Sequence, residues 1–261
     1  VGLVELLLNR IRIINKALQK SERMQYAELA AILSNVMTAN VYIVGKAGHV
    51  LGYSLLDNFE CRLMDEQVLQ KGIFPADYAE WLLRVNEVSP NKTLKGRLCA
   101  FSENTNCLFT EKYTTIIPIF GGGQRMGTLI VAKFQEAFVD ADLVLAEYGA
   151  AVVGAEIFRD KSDNIDEEAR RQACSQIAVN ALSYSELVVL SHICSGIDGT
   201  ENLFIASQIA DKAGIARSVI VNALRKCQSA GLIESKSLGT KGTYIRILNE
   251  YFLDQVRKVA Q

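Results

Sequence analysis

The sequence predicts an α+β chain in three parts: an antiparallel sheet with flanking helices over 1–138, a long helical linker over 139–182, and a helical module closed by a hairpin over 183–261. Three observations carry this. Apolar runs meet in pairs across short glycine turns, which builds antiparallel sheet, because parallel neighbours need a crossover of about a dozen residues. Past Phe138, apolar positions keep helical spacing through Val153 and Ile157 and recur at Ile165, Ala169, Ala173 and Ile177. Near the C-terminus, three short amphipathic stretches each stop at a glycine.

Taken in order, residues 3–19 and 26–38 have apolar positions three and four apart and read as helices. VYIV (41–44), a KAGH turn and VLGYS (50–54) read as two strands and a tight turn. A polar helical tract follows to about Arg84. TTIIPIF (114–120), the turn GGGQR and MGTLIVAKF (126–134) form a second hairpin. In FVDADLVLAEYG, Asp140 or Asp142 supplies the oxygen that caps the long helix, and early acidic residues suit its positive end. The charged tract RDKSDNIDEEARR reads as a solvated face, with a break expected near Ser162–Asn164. YSELVVLSHICSG, ENLFIASQIADKAG and ARSVIVNALRKCQSAG then read as helices ended by Gly196, Gly214 and Gly231. LIESK, SLGTKG and TYIRIL read as two strands around a turn.

A chain of 261 residues can bury a sizeable core, and 22% charged residues with three prolines is a globular composition. Glu5, Asn9, Arg10 and Arg12 interrupt LVELLLNRIRII, making it an amphipathic helix rather than a leader or a membrane span. AEYGAAVVGAEIF is too short to cross a bilayer. The six cysteines include no CxxC pair, so reduced thiols in a cytoplasmic protein are expected.

The net charge of the chain is -1, yet from Ile205 to Ile247 seven Lys and Arg face only Asp211 and Glu234, a local balance of +5. Helix, helix, short turn at Gly214–Ile215, helix and hairpin is the order of a winged helix-turn-helix. In its third helix Val219, Ile220, Ala223, Leu224 and Cys227 form the buried stripe by spacing, leaving Arg217, Ser218, Asn222, Arg225 and Lys226 for the outer faces. Arginine addresses guanine O6 and N7, asparagine pairs with adenine, and serine or lysine reaches phosphate. Ser207 in the preceding helix and Lys241, between Gly239 and Gly242 in the wing turn, complete the set expected to touch double-stranded DNA. The competing use of such a module is protein contact, as in an effector-binding scaffold, which predicts no salt-sensitive affinity for DNA.

Catalysis finds little support. His49 and His192 are the only histidines, no metal-ligand spacing surrounds them, and no GxSxG elbow occurs, so neither catalytic nor metal residues are assigned. GGGQRMGT has the outer glycine spacing of a phosphate loop at Gly122 and Gly127, but Thr128 stands where the lysine belongs and the segment joins two strands. That makes a hairpin turn, with Arg125 open to an anion, a better account than a nucleotide-handling enzyme. Phe74, Pro75, Tyr78, Phe101, Ile116 and Pro118 offer wall material for a small-molecule pocket, and one arginine could clamp a ligand carboxylate. Physics alone leaves Arg62, Arg84, Arg97 and Arg125 equal candidates.

ASQIADKAGIARSVIVNALRKCQSAGLIESKSLGTKGTYIRIL resembles the DNA-binding module of the CodY family of bacterial GTP- and branched-chain amino acid-sensing pleiotropic transcriptional repressors. The resemblance continues through NRIRIINKALQ, VLGYS, FPADY, TTIIPIFGGGQRMGTLI and ADLVLAEYGAAVVGAEI, and so covers nearly the whole chain. It implies a GAF-type sensor domain, a helical linker and a winged helix-turn-helix that binds operators as a dimer or a higher oligomer. Isoleucine, leucine or valine, and in many members GTP, then promote repression of nutrient-adaptation genes. The family arginine on the effector carboxylate matches Arg62, with Met64, Phe74, Pro75, Tyr78 and Phe101 as its neighbours. Arg217, Ser218 and Asn222 match the start of the recognition helix.

Two segments depart from the family. FPV in the effector pocket reads Phe101–Ser102–Glu103 here. The nucleotide-associated SRRGK reads Gly45–Lys46–Ala47–Gly48–His49, two guanidinium groups poorer, and lysine cannot reproduce their bidentate fork. Glu156 and Lys161 still match the linker positions associated with GTP, which stays an open expectation.

Overall fold

A computed structural model describes residues 2–19, 24–56, 59–93, 98–99, 102–106, 111–197 and 199–259. Phe101 and Arg97, both named above, lie outside them. The chain divides into two compact units, Val1–Lys161 and Ser162–Gln261.

In the first unit, helices α1 (Leu3–Leu18) and α2 (Tyr26–Met37) precede strands β1 (Asn40–Gly45) and β2 (Val50–Ser54). The short helix α3 (Arg62–Met64) runs into one π turn at Asp65–Leu69, and α4 (Ala76–Arg84) follows. After β3 (Ser89–Lys92), β4 (Leu98–Cys99) and β5 (Ser102–Asn106) come the long strands β6 (Lys112–Gly121) and β7 (Gln124–Phe134). A five-stranded sheet has the order β2-β1-β7-β6-β3, all neighbours antiparallel. Sequence reading missed β3, whose SPNK carries no apolar alternation and pairs only through a shifted register with β6.

Alternation across the pleat sorts the side chains of β1 onto two faces, and both are covered. Val41 and Ile43 join Ile117, Leu129 and Val131 under α1, α2 and the first half of the long helix. Tyr42 and Val44 join Ile116 and Ile130 in a second layer with Met64, Val68, Phe74 and Leu82. The β6–β7 turn consists of Gly122 and Gly123, both at positive φ (57 and 75), which is the hairpin turn whose twist suits antiparallel strands.

Helix α5 (Asp140–Asn180) is unbroken over 41 residues, so the interruption expected near Ser162–Asn164 is absent. Neither glycine nor proline occurs between 155 and 180, and Arg159–Glu156, Arg170–Glu167 and Arg171–Glu167 pairs hold the polar tract in register. Asp142, rather than Asp140, reaches back to the helix start, accepting from Val139 N at 3.2 Å, and it also pairs with Lys133 at 2.7 Å. Closer to the sheet, a β-carbon on Gly154 would stand 2.0 Å from the Phe120 carbonyl oxygen, so only glycine lets the helix approach β6 there.

The second unit contains the end of α5, then α6 (Tyr184–Ser195), β8 (Glu201–Phe204), α7 (Ala206–Ala213), α8 (Arg217–Ser229), β9 (Ile233–Ser237), β10 (Thr243–Ile247) and α9 (Tyr251–Val259). One expectation changes here. ENLFIASQIADKAG is not one helix: Glu201–Phe204 pairs with β10, giving a three-stranded sheet β8-β10-β9, and the helix begins only at Ala206. The last turns, YFLDQVRKV, form α9, which buries Phe252 and Val256 four residues apart. Ser183 and Glu186 form a reciprocal capping box at the start of α6. Cys194 and Cys227 are buried in this core, which pushes both thiols up to about 12, whereas Cys174 is exposed. Cys61, Cys174, Cys194 and Cys227 form no disulfide.

Candidate functional site

The turn before α8 sets the geometry of the C-terminal surface. Gly214 sits at φ 66 and closes α7, with Ile215 N donating to Ala210 O at 3.0 Å. From there α8 buries Ile220, Ala223, Leu224 and Cys227 at helical spacing. Arg217, Ser218, Asn222 and Arg225 remain exposed, with Arg225 donating to Asn222 Oδ1 at 3.3 Å. Neither Ile205 before α7 nor Ala216 before α8 caps its helix with a side chain, so the first-turn amides of both can donate to an anion. Ser207 is exposed in the first turn of α7.

The wing adjoins this surface. A cleft of about 250 Å³ runs between α8 and the hairpin, lined by Arg217, Val221 and Gln228 on one side and Ser235, Ser237 and Thr243 on the other. Lys241 stands exposed in the turn Gly239–Lys241, which Leu238 N closes by donating to Gly242 O at 2.8 Å. Lys236, exposed on β9, joins the cationic set; the alternation of IESKS was the signal for it.

Two of the seven cations counted in this segment are neutralised. Arg246 pairs across the strands with Glu234 at 2.6 Å. Lys226, expected to face phosphate, donates to the buried Glu186 at 2.8 Å while its own side chain stays 51% exposed. Its place three residues after Ala223 turns it toward α6. Lys212, Arg217, Arg225, Lys236 and Lys241 form no ion pair among the described residues.

The Lys226–Glu186 contact predicts a division of effects. Burial opposes ionisation of Glu186, but the ammonium of Lys226 and the Ser183 donors outweigh it and hold the carboxyl below its usual range. A depressed carboxyl pKa contributes stability that is complete above the unfolded value of about 4.3 and drains away as pH falls through the folded value. Lys226→Ala is therefore expected to cost the winged unit about 1 kcal/mol at neutral pH and to flatten its acid loss, with specific DNA affinity changed less than twofold; urea titrations and anisotropy check both.

In the first unit, Met64 and Phe74 share the apolar layer on the sheet face under α4. The Phe74 ring stacks on Tyr78 with centroids 5.6 Å apart and meets Tyr42 edge-on at 6.3 Å. Burial pushes the Tyr78 hydroxyl up to about 12. Pro75 is exposed at the start of α4. Arg62 is not brought to this layer: its side chain is 86% exposed and its Nε holds Glu66 at 2.6 Å. Arg84 is likewise paired outside, with Glu80 at 2.6 Å.

Arg125 is not open to an anion, contrary to expectation. Its guanidinium donates to the carbonyls of Gly127, Val85 and Leu82 and to Thr128 Oγ1, so it braces the C-terminal end of α4 against β7.

The segment Gly45–Lys46–Ala47–Gly48–His49 forms the β1–β2 turn, with Lys46 and Ala47 exposed and Gly48 at φ 83. Phe74 N donates to Gly48 O at 2.9 Å, and His49 bridges to Ile73, so this turn is braced by the segment that carries the aromatic layer. Gly45 pairs with Gly127, and Gly121 abuts Gly154, which places the turn and the 154–161 stretch of α5 at one end of the sheet. There Glu156 is buried and held by Arg159 at 2.6 Å, and Lys161 is exposed.

Comparison with known proteins adds the following. The family profile described as the CodY GAF-like domain matches residues 6–181, and the CodY helix-turn-helix domain matches 200–259. A protein of Clostridium perfringens strain 13 named global transcriptional regulator CodY is 50% identical over 255 residues, 97% of this chain and 98% of that one. The protein of that name from Clostridium kluyveri strain NBRC 12016 is 49% identical over the same span. The structure of the cofactor binding GAF domain of the nutrient sensor CodY from Clostridium difficile is 36% identical, covers 58% of this chain and 97% of that one, and gives a TM-score of 0.44.

Proposed function

The chain belongs to the CodY family of global transcriptional regulators, and from that premise we propose that a branched-chain amino acid held by the first unit raises the affinity of the winged unit for operator DNA. It is a regulator with a GAF domain and a helix-turn-helix domain, not an enzyme. The observation that carries the DNA reading is the exposure of Arg217, Ser218, Asn222, Lys236 and Lys241 on α8 and the adjoining wing, with an uncapped helix start and uncommitted cations. In this reading Arg217 and Asn222 address bases, while Ser207, Lys241 and Lys236 hold the backbone.

Isoleucine, leucine or valine would fill the layer of Met64, Phe74 and Tyr78, with Arg62 swinging from Glu66 onto the carboxylate. Apolar burial favours isoleucine over alanine because each methylene contributes about 0.8 kcal/mol. GTP is the second effector of this reading, at Gly45–His49 with Glu156 and Lys161. The hydrogen bond from Phe74 N to Gly48 O gives the two sites a shared segment. Dimers acting in the cytoplasm would match two operator half-sites. Exposed Val4, Leu8 and Val144 on α1 and α5 supply apolar surface for a second copy.

Regulation requires the effector to bind the DNA-competent state more tightly than the incompetent one. The test is anisotropy of full-length protein on a selected duplex, with and without isoleucine, across a salt series. Affinity is expected to rise with isoleucine and to fall with log salt at a slope of about −0.9 per neutralised phosphate. Salt-independent affinity would favour the scaffold reading. Equal calorimetric affinities for isoleucine, leucine, valine and alanine would remove the selective pocket.

A further inference from the structure

The sheet face under α4 is mostly apolar; Thr128 on it accepts from Arg125, and two further polar groups stand on β1. Asn40 and Tyr42 alternate along β1 with Val41, so both project to the side of Val44, Met64 and Phe74. Asn40 is 0% exposed and Tyr42 3%. The Asn40 oxygen is used, accepting from Leu56 N at 2.8 Å. Its amide nitrogen is buried and has no hydrogen-bond partner. Such orphaned donors are few in folded proteins, and each calls for an explanation.

The Tyr42 hydroxyl lies beside this amide. Burial raises its pKa far above that of an ordinary phenol, and the Asn40 side chain pulls it the other way across a contact that falls short of hydrogen-bond geometry. The group therefore stays protonated and offers one donor and one acceptor. Its ring is held edge-on to Phe74 at 6.3 Å, so the polar pair borders the wall already assigned to the effector.

We infer that Asn40 and Tyr42 form a polar reading point in the effector layer, one that takes a small α-amino acid whose branched side chain carries a hydroxyl in place of a methyl group. This rests on the effector reading above and concerns the same site. Valine and threonine have one shape and differ only there. A wholly apolar pocket separates such a pair by about 100-fold in favour of the methyl group, because the hydroxyl is buried unpaired. A pocket presenting an unspent amide donor and a phenolic hydroxyl meets both needs of the ligand's hydroxyl, and the separation shrinks.

The test is calorimetric titration of full-length protein with isoleucine, valine and threonine, for the natural sequence and for Tyr42→Phe, with melting curves for both. The natural protein is expected to prefer valine over threonine by less than about tenfold, and Tyr42→Phe to widen the gap toward about 100-fold by losing threonine alone. If Tyr42→Phe melts early, Asn40→Asp decides instead, since it keeps the oxygen on Leu56 N and removes the amide donor; it should also lower threonine affinity selectively. A valine-to-threonine ratio unmoved by the variants overturns the inference. So does parallel loss of both ligands, which would make the pair merely a packing element. Absence of isoleucine and valine binding to the natural protein is a different failure, that of the effector reading itself, and this inference falls with it.

Discussion

Asp142→Ala is expected to destabilise the first unit by about 3–5 kcal/mol, the largest single effect among these substitutions. Lys133 and Asp142 are only 8% and 6% exposed and stand 2.7 Å apart. The same carboxylate oxygen accepts from Val139 N at the start of α5, and Arg10 lies 3.9 Å from the other. Removing the carboxylate leaves an ammonium buried against the Phe138 ring with only the exposed Glu136, 3.5 Å away, as counter-charge. Trp81, the single tryptophan, belongs to this unit, so its fluorescence in a urea titration reads the loss directly. Lys133→Met in the Asp142→Ala background should recover much of it, because the cost lies in the uncompensated charge. A loss under about 1 kcal/mol would rank the pair with surface bridges and refute this account.

Arg217→Ala is expected to weaken operator binding by about 1–3 kcal/mol, roughly 5- to 150-fold, and to relax sequence preference at one base pair. The side chain is exposed, unpaired and at the first position of α8, so its removal disturbs no core contact and the melting temperature should not move. Lys241→Ala should differ in kind, weakening all duplexes alike and reducing the salt slope by about 1. Anisotropy with operator and scrambled duplexes separates the two. Unchanged affinity in both variants would remove this surface from the DNA interface.

Much of this fold was legible because its signals are local. Period-2 apolar runs with glycine turns located β1, β2, β6 and β7, and the spacing of Ile220, Ala223, Leu224 and Cys227 gave the inner face of α8. The misses are non-local. Glu201–Phe204 is a strand because β10 offers it an edge, which no property of ENLF announces. Lys226 and Arg125 looked like anion ligands because their partners, Glu186 and the carbonyls of Leu82 and Val85, are about 40 residues away in sequence. Tyr42 and Asn40 escaped notice within a run that reads as an ordinary buried strand. At the candidate site, type and exposure were legible for Arg217, Ser218, Asn222 and Lys241, while Arg62 depends on a side-chain position that spacing does not determine.

The two thiols sealed inside the winged unit have a practical consequence. A thiol reacts with alkylating reagents as its thiolate, so Cys194 and Cys227 are protected twice, by coverage and by the proton that burial keeps on them. Cys174, exposed in the same unit, is expected to take up iodoacetamide far sooner and to serve as the internal dose standard. Mass spectrometry of timed samples then yields an opening rate for this domain with no engineered probe. Bound duplex, which selects the closed form, should lengthen the half-time.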